Sequence, residues 1–137
     1  MPALNLRYLT AIILLDGRLD FVSAQSLERM HNDEKAKAIM PRVDVVHDPK
    51  QEAGPGQART ESARVIITET GGKRHEIYVP YVTGFPSHPM SKAEVEAKAL
   101  ELMTPRLGQR RARAVVDQVW DIEGLRAGGR LATLIAS

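Results

Sequence analysis

The first apolar cluster of the chain has helical spacing. Between residues 4 and 16 the apolar positions recur every three or four residues, the interval of one helix face. Others lie beside them, so the helix would be apolar on more than one side and would need cover from more than one surface. Gly17 follows as the expected C-cap. The pattern predicts a helix over 4–16 that contacts another domain or another subunit. The apolar positions are Leu4, Tyr8, Leu9, Ile12, Ile13, Leu14 and Leu15.

Two short helices are predicted after it. Ser23 is a residue type that caps helices and would begin the first of them. Asn32 or Asp33 would cap the second, over roughly 33–40. Pro41 would then stop this helix, because proline cannot continue a helical hydrogen-bond ladder.

Strand patterns occupy the middle of the chain. Residues 42–47 alternate in the way that predicts one strand. A polar stretch over 49–60 is expected to be a surface loop. Residues 62–81 predict a hairpin with a two-residue turn at the glycine pair 71–72. That turn would set Ile66 opposite Ile77.

Helices are predicted again towards the carboxyl end. Ser91 and Glu94 form a capping box that should begin a helix running to about Met103. Pro105 suits the first turn of another helix. The tail over 131–136 resembles a final helical turn or two. The apolar face of the second helix would consist of Ala112, Val115, Val116, Val119 and Trp120.

This order of elements predicts an α+β fold. A small antiparallel sheet of about three strands, including the 62–81 hairpin, would be packed by the amino- and carboxy-terminal helices. The length of 137 residues suits a single domain over 1–137. Hydrophobic residues make up 43% of the chain and aromatic residues only 4%, so the core is expected to be aliphatic.

Composition excludes several kinds of site. The chain has no cysteine, which excludes disulfides, thiolate metal sites and a cysteine nucleophile. No signal peptide is present, so export is not expected and we expect a cytoplasmic location. No apolar run reaches the roughly 20 residues of a membrane span, so we expect no membrane partner. No cofactor motif and no metal-ligand spacing is found, so no cofactor or metal is expected. The histidines are His31, His47, His75 and His88.

The basic residues concentrate in one segment. The net charge is only +2, but the pI is about 9.1. The cluster could bind phosphate, or it could be the solvated face of a helix. We favour the solvated face, because no aromatic residues interleave with it, and we expect no nucleic-acid partner. The cluster consists of Arg106, Arg110, Arg111 and Arg113.

Tyr8 is the candidate substrate-binding residue. It combines an apolar ring with a polar tip, on the helix that needs further cover. Its hydroxyl could donate to a substrate carboxylate at an interface. The alternative is an amphipathic ring at the edge of a helix. We identify no catalytic residue.

Two segments resemble the carboxy-terminal domain of MmgE/PrpD proteins. Residues 5–17, with an aliphatic run ending in Leu-Asp-Gly, are similar to the helix that opens that domain. Residues 84–91 with Glu94 and Lys98 resemble the family's Gly…Asn-Pro-Met-Ser/Thr loop and capped helix. Between them, residues 42–49 resemble the first strand of the domain.

The resemblance implies part of an enzyme. The family includes 2-methylcitrate dehydratase of propionate metabolism, cis-aconitate decarboxylase and iminodisuccinate epimerase, which act on small polycarboxylates without a metal or organic cofactor. Their substrate lies between this domain and a preceding helical domain, which supplies most of the catalytic residues. The present sequence contains no such helical domain, so we expect little activity from it alone. Tyr8 matches the active-site tyrosine of the decarboxylase branch.

The sequence departs from the family pattern at three positions, and it also allows one rival interpretation of function. Leu4 stands where some relatives have a histidine, His88 replaces the usual asparagine, and Ala99 replaces the usual phenylalanine. These departures concern the substrate and not the fold. The rival interpretation is a non-catalytic interaction module. In that case residues 4–16 would join two copies, or join this chain to a separate helical-domain subunit.

Overall fold

The computed structural model describes residues 1–57, 61–124 and 129–136. The chain divides into two compact units. One unit combines Met1–Val46 with Val95–Ser137, and the other is His47–Glu94. The last residues of the predicted surface loop, 58–60, lie outside the described part of the chain.

The predicted first helix is confirmed. A 3₁₀ turn at Pro2–Leu4 precedes helix α1, Leu6–Asp16. The helix begins at Asn5, whose side-chain oxygen accepts a hydrogen bond from the Tyr8 backbone N–H over 3.1 Å. It ends at Gly17, where a φ of 71° gives the left-handed conformation that suits glycine. Both caps therefore come from residues with the required chemistry.

Three short helices follow, each with its own polar cap. The caps are Asp20, Ser26 and Asp33, whose side chains accept hydrogen bonds from backbone N–H groups of the first turn. Asp33 confirms the cap predicted for the third of these helices. The prediction for Ser23 is wrong, because Asp20 already caps the helix in which Ser23 lies. The helices are α2 at Phe21–Gln25, α3 at Leu27–Asn32 and α4 at Glu34–Ile39.

The core of the first unit forms where α1 packs against α4. Tyr8 and Ile12 are the largest fully buried side chains among the described residues. Ala11 and Ala36 are buried beside them, and their small size lets the two helices approach. The surrounding half-buried side chains are Leu9, Leu15, Met30, Ile39 and Met40.

The predicted strand over 42–47 is not confirmed. Pro41 lies in a 3₁₀ turn, Met40–Arg42, and the chain beyond it runs without a strand partner among the described residues. Val43 and Asp48 have extended backbone conformations, and Val46 is 82% exposed. A strand needs hydrogen bonds to a neighbour, and an apolar alternation alone does not supply one. A second 3₁₀ turn follows at Pro49–Gln51.

The hairpin is confirmed, but its predicted register is wrong by one residue. Strand β1, Ala63–Thr68, pairs antiparallel with strand β2, Arg74–Val79, and these are the strands of the described sheet. Val65, not Ile66, lies opposite Ile77. The Glu69 carbonyl accepts from the Gly72 N–H, and the Glu69 N–H donates to the Lys73 carbonyl, both over 2.8 Å. The connection is therefore a three-residue loop.

This register separates two chemically different faces of the hairpin. On one face Arg64 and Arg74 both pair with Glu76, and the Arg64 guanidinium lies over the Tyr78 ring. The opposite face is largely apolar, with His75 towards the turn. Every residue of both strands is exposed. The hairpin apolar face consists of Ala63, Val65, Ile67, Ile77 and Val79.

Three helices follow the hairpin. They are α5 at Lys92–Leu107, α6 at Gln109–Trp120 and α7 at Gly129–Ile135. The capping box is confirmed: the Ser91 N–H donates to the Glu94 carboxylate over 2.8 Å. The prediction that Pro105 begins a helix is wrong. Pro105 lies in the last turn of α5, where it removes one helical hydrogen bond, and the helix ends two residues later at Leu107. Gly108, with a φ of 74°, separates α5 from α6.

The buried face of α6 is narrower than predicted. Ala112, Val115 and Val116 are buried as expected. Val119 and Trp120, at the end of the helix, are 45% and 47% exposed. The Arg111 side chain donates to the Leu134 carbonyl over 3.0 Å and so connects α6 to the end of α7.

Candidate functional site

The Tyr8 hydroxyl, which was expected to face a substrate, is buried. Its side chain has no exposed surface, and the hydroxyl donates to the Ser23 carbonyl oxygen over 2.7 Å. The pKa of Tyr8 is raised, chiefly by burial. Of the nearby charges, Arg29 lowers this pKa, and the Asp33 and Asp16 carboxylates raise it. The hydroxyl is therefore a neutral donor near pH 7 whose proton already has an acceptor. A substrate-facing role stays a prediction, and it requires the Ser23 carbonyl to move away.

An arginine between two aspartates holds the surroundings of Tyr8 in place. The Arg29 guanidinium contacts the two Asp16 oxygens over 2.5 and 2.8 Å, and its Nε donates to Asp33 over 3.1 Å. Hydrogen bonding to Arg29 lowers the pKa of Asp16. Hydrogen bonds from the Ala36 N–H and then from Arg29 lower the pKa of Asp33. These carboxylates stay ionised and are poor general bases near pH 7.

Helix α1 also has an apolar face that nothing in the described structure covers. Leu6, Ile13 and Leu14 are 56%, 45% and 48% exposed. They lie on the side of α1 away from Tyr8 and Ile12. We call these three residues the outer face of α1. A second covering surface for this helix stays a prediction.

A shallow cavity of about 530 Å³ opens at the start of α1. Arg7 gives it a cationic group, and the side chain of Leu4, which stands where some relatives have histidine, is 76% exposed. Sequence reasoning missed Arg7, because a single arginine in a helical pattern is not distinctive. The lining residues are Met1, Leu4, Asn5, Leu6, Arg7 and Val45.

Two further cavities lie along α5. One, of about 510 Å³, is lined by residues of α5 and of the start of α2. At this cavity the Glu101 carboxylate accepts a hydrogen bond from the Phe21 N–H over 2.6 Å. Asp20 also lines it, and backbone and side-chain hydrogen bonds from Ser23 lower the pKa of Asp20. The other cavity, of about 460 Å³, lies between α5 and α6 and is lined by arginines.

The histidines do not form a catalytic cluster in the described structure. His47 contacts Glu52 over 2.9 Å, and His75 contacts Glu69 over 2.5 Å. His88 stacks on the Tyr81 ring, with ring centroids 3.1 Å apart. Within the described ranges no group of three or more histidines, aspartates or glutamates could hold a metal ion.

A protein-family model matches most of this chain. The model for the MmgE/PrpD C-terminal domain matches residues 3–122 of the 137-residue chain. The chain belongs to the MmgE/PrpD family. No significant match was found among curated proteins. The matched range includes α1 with Tyr8, the hairpin and all of α6.

The second segment of family resemblance forms a compact turn in this MmgE/PrpD domain. The Gly84 N–H donates to the His88 carbonyl over 2.7 Å, and the His88 N–H donates to the Phe85 carbonyl over 2.8 Å. Gly84 has a φ of 110°, a conformation that side-chain-bearing residues rarely adopt. The turn leads directly to the Ser91 cap of α5.

Two of the three departures from the family pattern have clear structural settings. The His88 ring is half-buried against Tyr81, with its Nδ1 3.1 Å from the Ser87 hydroxyl. Ala99 is half-buried in the middle of α5, where a small side chain preserves the helix. In the parts of the MmgE/PrpD chain that the structure describes, no helix has the length and apolar character that a bilayer crossing requires.

Proposed function

We propose that this chain is the small, non-catalytic part of an MmgE/PrpD lyase. The enzyme would resemble 2-methylcitrate dehydratase of propionate metabolism and act on a polycarboxylate in the cytoplasm. Proton abstraction next to a carboxylate would be the key step. The chain would supply one wall of the substrate cleft, and a helical domain would supply the base.

The outer face of α1 carries this proposal. It lies within the range that matches the family model, in a helix whose opposite side already buries Tyr8, Ala11 and Ile12. Exposed aliphatic side chains at adjacent positions of a well-capped helix favour contact with a second protein surface. A helical domain on that surface would also enclose the cavity at the start of α1. Arg7 would then lie in the cleft, where its guanidinium suits a substrate carboxylate.

The acid–base properties of the described residues support a base from elsewhere. The pKa values of Asp16, Asp20, Asp33 and Glu94 are lowered by hydrogen bonds that structural roles already use. A carboxylate with a lowered pKa is a weak base near pH 7. Tyr8, with a raised pKa, is protonated there.

The test measures dehydration of 2-methylcitrate by the chain alone and by the chain mixed with a helical MmgE/PrpD domain. We expect little or no turnover from the chain alone and a gain with the helical domain. Ile13→Glu should abolish the gain and the binding, because it sets a charge in the outer face of α1. Val22→Glu, at a 60% exposed position in α2, is the matched control and should change neither. Turnover by the chain alone would contradict the proposal.

A second function is favoured by the hairpin apolar face, whose residues are all exposed. In this alternative the chain is a non-catalytic assembly module that forms homo-oligomers or joins a split enzyme. Light scattering and the turnover assay together separate the two functions: a monomer at micromolar concentration that gains turnover when it binds a helical domain favours the lyase. A stable dimer, or binding without turnover, favours the assembly module.

A further inference from the structure

The arginines that the sequence groups together have different environments. Arg111 is engaged with carbonyl oxygens at the end of α7. Arg113 contacts Glu96 over 3.1 Å and lies 3.9 Å from Asp117. Arg110 makes no hydrogen bond or ion pair with the described residues. The cluster is therefore not uniformly a solvated helix face.

Arg110 lines the cavity of about 460 Å³ between α5 and α6. Arg113 lies one helical turn further along the same side of α6, and both arginines line this cavity. Thr104 and Gln109 add neutral hydrogen-bond donors, and Leu100 adds an apolar wall. Among the described residues no carboxylate lines this cavity, whereas Asp20 and Glu101 line the neighbouring one of about 510 Å³.

We propose that this cavity binds a small organic oxyanion, a carboxylate or a phosphate ester. Arg110 is the principal ligand, because its charge is not neutralised by any described side chain. Arg113 is the second ligand, held at the cavity by Glu96. A guanidinium presents paired N–H donors that match the oxygens of a carboxylate or phosphate group. The carbon part of the ligand would contact Leu100. The proposal is independent of the lyase function.

The chemistry of the site sets the expected strength of binding. Glu96 and Asp117 offset part of the Arg113 charge, and both arginines are exposed. Exposed ionic contacts are weakened by water and salt. Binding should therefore be weak, on the order of millimolar, and should become weaker as the ionic strength rises.

The experiment is a titration of the ¹⁵N-labelled chain followed by amide chemical shifts. Inorganic phosphate and citrate are each compared with sodium chloride at matched ionic strength. We expect saturable shifts at residues 104 and 109–113. Arg110→Gln should weaken the apparent affinity about tenfold, since it removes a charged hydrogen bond. Arg42→Gln makes the same charge change outside the cavity, at an exposed position, and should leave the affinity unchanged.

Each outcome decides the proposal. Saturation with citrate alone identifies a carboxylate ligand, and saturation with phosphate alone identifies a phosphate ligand. Saturation with both supports an oxyanion site of mixed preference. Non-saturating shifts, shifts that sodium chloride reproduces, or equal losses in the two variants would overturn it. Both substitutions are at exposed positions, and an unchanged amide spectrum in the remaining residues verifies that each variant is folded.

Discussion

Tyr8 stabilises the fold through two separate parts of its side chain. The ring fills the contact between α1 and α4, and the hydroxyl joins α1 to the Ser23 carbonyl in α2. Burying a large apolar side chain contributes about 1.5–3 kcal/mol. The family resemblance gives this tyrosine a role towards substrate, and its buried donor gives it a role in the fold. A single substitution separates the two roles.

We expect Tyr8→Phe to lower the free energy of unfolding by about 0.5–1.5 kcal/mol, because the Ser23 carbonyl loses its donor inside the protein. In the chain assembled with a helical domain, kcat/KM should stay within about twofold of the original value. Urea unfolding and dehydratase assays measure the two effects. Tyr81→Phe, at a 40% exposed tyrosine, is the control and should change neither. A large fall in kcat/KM at unchanged stability would instead show that Tyr8 faces the substrate.

At the scale of elements, the hairpin turn explains why the sequence predicted the hairpin but not its register. A pair of glycines is typical of a two-residue turn, in which both can have positive φ. Of these two glycines, Gly72 has a positive φ, 84°, and Gly71 does not. The three-residue loop collects Val65, Ile67 and Ile77 on one face, which the two-residue turn would not do. The grouping of apolar residues on one face and the glycine-pair turn signal favour different registers, and the local turn signal was the weaker guide.

Gly72→Ala should destabilise the hairpin by about 1–2 kcal/mol, because alanine is strained in a left-handed conformation. Gly71→Ala should be neutral or slightly stabilising, since its φ is accessible to alanine and nothing lies within 4 Å of the added methyl group. Cross-strand NOE intensities between Val65 and Ile77 measure the folded population. Equal effects of the two substitutions would favour the two-residue turn instead.

The same comparison shows which parts of the fold and site the sequence predicts. Caps with distinctive local chemistry were found, such as the Gly17 and Ser91 caps. The strand over 42–47 was not confirmed, because strand formation depends on a partner that an alternating pattern does not reveal. Tyr8 was recognised as special, but its contact with Ser23, fifteen residues away, is a tertiary contact without a local signal. Arg7 and Arg110 acquire interest only through the cavities that they line.

At the scale of the whole molecule, burial is distributed unequally. The unit that contains α1 and α4 buries Tyr8 and Ile12 completely, and α6 buries a second group of side chains. None of the described residues between 47 and 94 is buried. An isolated two-stranded hairpin is marginally stable in water, and its hydrogen bonds open at low free-energy cost. The two units should therefore differ in local stability.

Hydrogen exchange measured by mass spectrometry should show this difference. Amides of residues 9–16 in α1 should exchange slowly, because they open only when the buried cluster is disrupted. Amides of 63–68 and 74–79 should exchange at least about tenfold faster in the chain alone. A bound helical domain should slow exchange in α1 further, whereas self-association through the hairpin apolar face should slow 63–68 and 74–79 in a concentration-dependent way. Slow hairpin exchange that persists on dilution would mean that the hairpin apolar face is already covered within one chain.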